Sequence, residues 1–293
     1  MQNRYLCMKL RLTLALLLAL ISTLEAKTVF VTVPPQLGII KQIAGDLVNV
    51  VSLTQGQSCP ETFSPTPKQM EALLKADLFM DLGMPFEKIW LKKVAKNNKV
   101  KIVSMSQGIK LREMEPGHHH KHEHHNNNDH QKNHHGEKDP HIWTSVENVI
   151  IMAENTHTAL KELIPTETKK LDDNLKSFKE KAYELDKKLK KELKDSKGKA
   201  VFVFHPYYGY FTDSYDLIQF PIEAEGKSPT AKQLAHIIKE IEKQNKKIIL
   251  IQPEFDTKVA RSLADQTGAK LITVSIYSQD VLKNIEALAK IWK

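Results

Sequence analysis

From residue 27 onward, short apolar runs rich in β-branched and aromatic residues alternate with stretches in which apolar residues recur every three or four positions. Strand-like runs at 29–33, 50–53, 78–82 and 100–105 are interleaved with helical patterns at 38–47, 68–75 and 86–96. That alternation predicts crossover connections and a mostly parallel sheet. A further helix is predicted over 145–163, where Val146, Val149, Ile150, Met152 and Ala153 mark its apolar face. Past Pro165 the chain becomes highly charged, yet Leu171, Leu175, Phe178, Ala182, Leu185, Leu189 and Leu193 keep a three-or-four spacing. One long helix is predicted to about residue 194, roughly 29 residues or ~43 Å, longer than one small lobe is wide. The alternation then resumes, with strand-like runs at 200–204, 218–222, 247–251 and 270–274 and helical patterns at 231–243, 258–266 and 281–291. The fold class expected is therefore α/β: two lobes with mostly parallel sheets, bridged by one long helix. In such open sheets ligands bind outside the carboxyl ends of the strands, which places a site in the cleft between the lobes.

Composition sets the bounds. A chain of 293 residues with 41% hydrophobic side chains can bury a sizeable core, which excludes disorder. Residues 1–26 read as a signal peptide: Arg4, Lys9 and Arg11 precede an apolar run at 10–21. That run is shorter than the roughly 20 residues a membrane span needs. Leu24 fits the small-residue rule at the cleavage site poorly, and Met8 is an alternative start to Met1. The expected division is a signal peptide at 1–26, an N-terminal lobe at 27–164 with a His-rich loop at 117–138, a linking helix at 165–196 and a C-terminal lobe at 197–293. The expected location is periplasmic or otherwise extracytoplasmic. Cys7 precedes the apolar run, the wrong place for a lipid-modified cysteine, and its removal leaves Cys59 as a single thiol with no internal disulfide. Net charge is +8 for the full chain, carried on amphipathic stretches where Lys is interleaved with Glu and Asp. No basic-aromatic cluster is present, so nucleic acid is not an expected partner.

Histidine changes the picture. Nine of the 13 histidines lie in one segment: His118, His119, His120, His122, His124, His125, His130, His134 and His135. The segment offers no apolar residue to bury, so it is expected to be a mobile loop and a low-affinity ligand for zinc, copper or nickel. Of the other four, His157 and His236 fall in amphipathic helices and read as partly exposed helix histidines. His141 lies in Asp139-Pro140-His141-Ile142-Trp143, where the proline makes a stiff turn ahead of a helix. His205 follows an apolar strand, at the strand end where such a lobe displays ligand-binding groups.

Four stretches together resemble the zinc and manganese solute-binding proteins of ABC transporters: residues 56–67 with Phe63-Ser64-Pro65-Thr66-Pro67; the turn at 139–143 after a His-rich loop; His205 followed by Tyr208, Tyr210 and Phe211; and Pro253-Glu254-Phe255 before a helix. The resemblance covers nearly the whole mature chain and implies two α/β lobes with a metal between them. Carried onto this sequence, it makes His141 and His205 ligands, one from each lobe. It also exposes two departures, since Glu61 stands where the family usually has a histidine and Ser275 where many members have an aspartate. Glu61, His141 and His205 form a set that zinc accepts with water completing a tetrahedral shell, and that manganese or ferrous iron also accepts. The His-rich loop favours Zn2+. Glu254 could orient a ligand histidine or substitute for a ligand, and equally reads as a helix-start carboxylate.

The function this implies is an extracytoplasmic solute-binding protein that captures a divalent transition metal, zinc ahead of manganese or iron, and delivers it to the permease of an ABC importer. It would be a monomer and not an enzyme. A zinc-dependent hydrolase is the competing class, since three ligands and an open position also suit hydrolysis, but no HExxH or comparable motif supplies a base.

Overall fold

The computed structural model describes residues 26–54, 63–84, 87–96, 99–114, 138–223, 228–245, 247–253 and 257–293. The first lobe runs β1 (Lys27–Val31), α1 (Pro34–Ala44), β2 (Val48–Ser52), α2 (Pro67–Leu73), β3 (Leu78–Asp81), α3 (Glu87–Ala95) and β4 (Lys101–Ser104). Two further helices follow, α4 (Val146–Leu163) and α5 (Thr168–Glu192). The second lobe runs β5 (Ala200–Val203), α6 (Gly209–Ser214), β6 (Ile218–Pro221), α7 (Ala231–Glu242), β7 (Ile248–Ile251), α8 (Lys258–Thr267), β8 (Lys270–Thr273) and α9 (Val281–Trp292).

The two sheets repeat one plan. The first has strand order β2-β1-β3-β4 and the second β6-β5-β7-β8, and every pairing between these strands is parallel. The order in which strands are added across the sheet therefore reverses between β1 and β3, and again between β5 and β7, which are the switch points where such sheets hold ligands. The repeat reaches into the sequence, since Ser64-Pro65-Thr66-Pro67-Lys68-Gln69-Met70 opens α2 and Ser228-Pro229-Thr230-Ala231-Lys232-Gln233-Leu234 opens α7. In each, the threonine hydroxyl accepts from the glutamine N–H, at 3.3 Å for Thr66 and 3.4 Å for Thr230. Each glutamine carboxamide accepts from the threonine N–H in return, which closes a capping box.

Period-two alternation decides which layer each strand face joins. On β5, Val201 and Val203 face the main core, while Phe202, with Phe204 just past the strand, faces a smaller cluster with Ile237 and Ile241 of α7 and Leu263 of α8.

Some boundaries move from the sequence expectation. The helix predicted at 38–47 begins at Pro34, because Gln36 Oε1 accepts from the N–H groups of Thr32 (2.9 Å) and Val33 (3.0 Å) and satisfies donors ahead of the first turn. The long helix has 25 residues and not 29, because its ends tighten into 3₁₀ turns at Pro165–Glu167 and Lys194–Ser196. The short helix α6 was not expected. All its apolar residues are buried, so it lacks the two-sided pattern that marks longer helices. Helix α9 leaves the second sheet to pack on α5, α1 and α4.

Candidate metal centre

His141 and His205 come from different lobes and meet. His141 ends the turn that begins at Asp139 and leads through a 3₁₀ turn, Ile142–Thr144, into α4. The Asp139 carboxylate Oδ1 accepts from the His141 backbone N–H at 2.9 Å and lies 2.8 Å from Nδ1 of the same histidine. His205 lies just beyond β5, the strand between β6 and β7, and its Nδ1 is hydrogen-bonded to the Glu223 carboxylate, which follows β6. All four side chains are buried, with His141 at 0% and His205 at 3% exposure. A carboxylate only accepts, so each bond puts the proton on Nδ1 and leaves Nε2 as the nitrogen with a lone pair for a metal.

The ring spacing fits one shared ion. The two imidazole centres lie 5.5 Å apart, with planes at 81°. Two imidazoles bound tetrahedrally to one zinc through bonds of ~2.0–2.1 Å place their ring centres roughly 5 Å apart. Tyr207 wedges against both, its ring centre 4.2 Å from each imidazole, and forms an apolar wall to the centre.

Ser275 lies just past β8, half-buried, and its hydroxyl accepts from the Tyr277 N–H at 3.2 Å. Its neighbours border the centre. The Ile276 carbonyl accepts from Trp143 Nε1 at 3.0 Å, and the Tyr277 hydroxyl lies 3.5 Å from that of Tyr207. Glu61, Glu254 and the nine histidines between 118 and 135 lie outside the described residues. Among the described residues no group of three or more His, Cys, Asp or Glu side chains is arranged to hold a metal. His157 and His236 are half-buried on α4 and α7, as expected, near Asp172 (2.6 Å) and Glu240 (4.0 Å).

Sequence reasoning missed Glu223, Arg112 and Tyr207. Glu223 reaches His205 only because β5 and β6 pair side by side, and no sequence spacing announces that. The Asp-x-His spacing could have flagged Asp139 as the partner of His141, since an aspartate readily accepts from the backbone two residues on.

Two parallel α/β lobes thus bring together a buried, carboxylate-backed histidine pair, an arrangement with the chemistry to hold a metal ion. The family model described as zinc-uptake complex component A, periplasmic, matches residues 29–287, and the chain belongs to that family. Among its relatives, the high-affinity zinc uptake system protein ZnuA of Yersinia pestis is 30% identical over 274 residues, covering 87% of this chain and 85% of that protein. The zinc-binding protein AdcA of Streptococcus pyogenes serotype M3 is 29% identical over 244 residues, 80% of this chain, and this chain spans only about half (47%) of its length. A crystal structure of ZnuA superposes with a TM-score of 0.80 at 30% identity, covering 92% of this chain and 98% of the other. A zinc-bound deletion mutant of ZnuA gives 0.80 at 31% identity, covering 92% and 97%.

Proposed function

We propose that this protein captures a divalent transition metal, zinc in preference to manganese or iron, and hands it to the permease of an ABC importer. The observation that carries the reading is the pair His141 and His205, one from each lobe, each held by a buried carboxylate and spaced for a single ion. Supporting it, relatives along most of the chain are named for zinc uptake and a structural neighbour is zinc-bound. Glu61 is proposed as the third ligand, with Glu254 and Ser275 as further candidates. The His-rich loop, with its dense imidazoles, would raise the local metal concentration and pass ions to the centre.

We divide the chain as the sequence suggested: lobes at 27–164 and 197–293 and a linking helix at 165–196, working as a monomer outside the cytoplasmic membrane. No helix among the described residues is long and apolar enough to cross a membrane. The relatives are named as binding and uptake proteins, and the competing hydrolase reading gains nothing from them.

Competitive zinc titration with elemental analysis tests this on the mature protein and on Glu61→Ala, His141→Ala and His205→Ala. One tight site that prefers zinc and disappears in both histidine variants is the expected result. Tight binding that survives both histidine changes would sink the reading.

A further inference from the structure

Arg112 lies where three features converge: the stem of the His-rich segment, the turn that carries His141, and the first turn of α6 in the other lobe. Its Nη1 is 3.2 Å from Asp139 Oδ2, and its Nε is 2.9 Å from Asp213 Oδ2 at the far end of α6. The other oxygen of Asp139 is the one bonded to His141. An unbroken chain of charged contacts therefore runs Asp213, Arg112, Asp139, His141, from the second lobe to a proposed ligand of the first.

The backbone doubles that chain. The Arg112 carbonyl accepts from the Asp139 N–H at 3.0 Å, and the Tyr210 hydroxyl donates to the Asp139 carbonyl at 2.7 Å while accepting from the Arg112 N–H at 3.2 Å. Next to it, Glu113 and Lys138 form an antiparallel bridge that closes the stem of the His-rich segment. The guanidinium packs against α6 at Gly209, which has no side chain; a Cβ there would fall 1.7 Å from Nη1 and 2.4 Å from Cζ. The fork is thus fixed on two carboxylates by a surface that only glycine leaves open.

We infer that Arg112 is a positioning residue that makes the metal affinity of His141 depend on the second lobe, by clamping Asp139 against Asp213 across the lobe boundary. The inference rests on the proposed role of His141 as a ligand. An aspartate with one oxygen on a histidine and the other on a fixed guanidinium cannot rotate away, so the imidazole keeps its aim before the metal arrives. Separation of α6 from the 139–141 turn breaks the clamp, so a partner that draws the two lobes apart also loosens the metal.

The test is zinc affinity by competitive titration, with the melting temperature of the metal-free protein, for wild type, Arg112→Met, Arg112→Lys, Gly209→Ala, Asp213→Asn, the double variant Arg112→Met/Asp213→Asn, and His141→Ala. Arg112→Met should weaken zinc binding about tenfold, the low end of the range for groups that directly hold a metal-bound histidine, because Arg112 acts through Asp139. Gly209→Ala, which evicts the guanidinium while keeping the arginine, should weaken it in the same direction. Arg112→Lys, a point charge without the fork, should recover part of the loss, and Asp213→Asn should weaken binding in wild type but add nothing to Arg112→Met. The inference is overturned if Arg112→Met binds zinc within twofold of wild type, or if the Met and Lys variants lose affinity equally in step with their melting temperatures. If His141→Ala itself leaves zinc affinity unchanged, the ligand assignment fails instead, and that outcome is separate from the first two.

Discussion

A metal-binding imidazole has to commit one ring nitrogen before it can offer the other, and both histidines here commit Nδ1 to a buried carboxylate. Asp139 is local, two residues from its histidine, whereas Glu223 is donated by the neighbouring strand. Replacing Glu223 by Gln keeps the shape and an accepting oxygen but removes the charge that strengthens the bond. Zinc affinity is expected to fall about tenfold, with the fold intact by circular dichroism. An unchanged affinity would mean that His205 is held by Tyr207 packing alone. The two histidines themselves were legible in the sequence, one from a proline-stiffened turn and one from a strand end, because both signals are local. Of the groups behind them, Asp139 is announced by its spacing, but Glu223 and Arg112 reach His205 and Asp139 through pairings that only the folded chain creates.

At the scale of elements, the ends of the first sheet are tied together by one buried acid. The Glu87 carboxylate opens α3, accepts from the N–H of Met84 at 2.7 Å and of Leu82 at 3.2 Å on the segment after β3, and is hydrogen-bonded to the Thr32 hydroxyl after β1. Burial pushes its pKa up to about 7, helped by the nearby Asp81 carboxylate, which burial also raises. Between about 4.5 and about 7 the folded protein keeps a proton that the unfolded chain has released, so stability from this group is complete below that window and declines as pH rises through it. The decline is up to about 3 kcal/mol. Urea unfolding of the metal-free protein at pH 5 and pH 7.5 should show wild type losing more stability than Glu87→Gln, and equal losses would remove Glu87 as the cause. Strands, parallel pairing and most helices of both lobes could be read from the sequence because amphipathic periodicity and β-branched runs are strong local signals. The short helix α6 was not, since a six-residue element buried on its apolar positions shows no period, and the repeated Ser-Pro-Thr-x-Lys-Gln cap was the overlooked clue that the lobes share one plan.

Across the whole molecule, the main core does not stop at the boundary between the sheets. It runs from Val29 and Phe79 of the first sheet through Val149 of α4 and Phe178 of α5 to Val203, Leu288 and Trp292. Helix α9 stitches this seam, with Trp292 against Phe211 and Tyr208 and the preceding segment against α1. There the approach is so close that a Cβ on Gly38 would fall 1.7 Å from the Gln279 carbonyl oxygen. Trp143 of the first lobe donates to the Ile276 carbonyl, and Asn174 of α5 donates to the Ile43 carbonyl at 2.8 Å. Two bodies that share a packed interior of this extent should not melt independently, because unfolding either one exposes the other's apolar face. The metal-free protein is therefore expected to unfold in one transition. Gly38→Ala forces backbone against a methyl group in a packed seam, and such overpacking costs about 1–3 kcal/mol. Because Gly38 and Gln279 belong to different lobes, that loss should move the helical circular dichroism and the tryptophan fluorescence midpoints together. Two midpoints that separate in the variant would show lobes that fold on their own, and the shared interior would then not be what couples them.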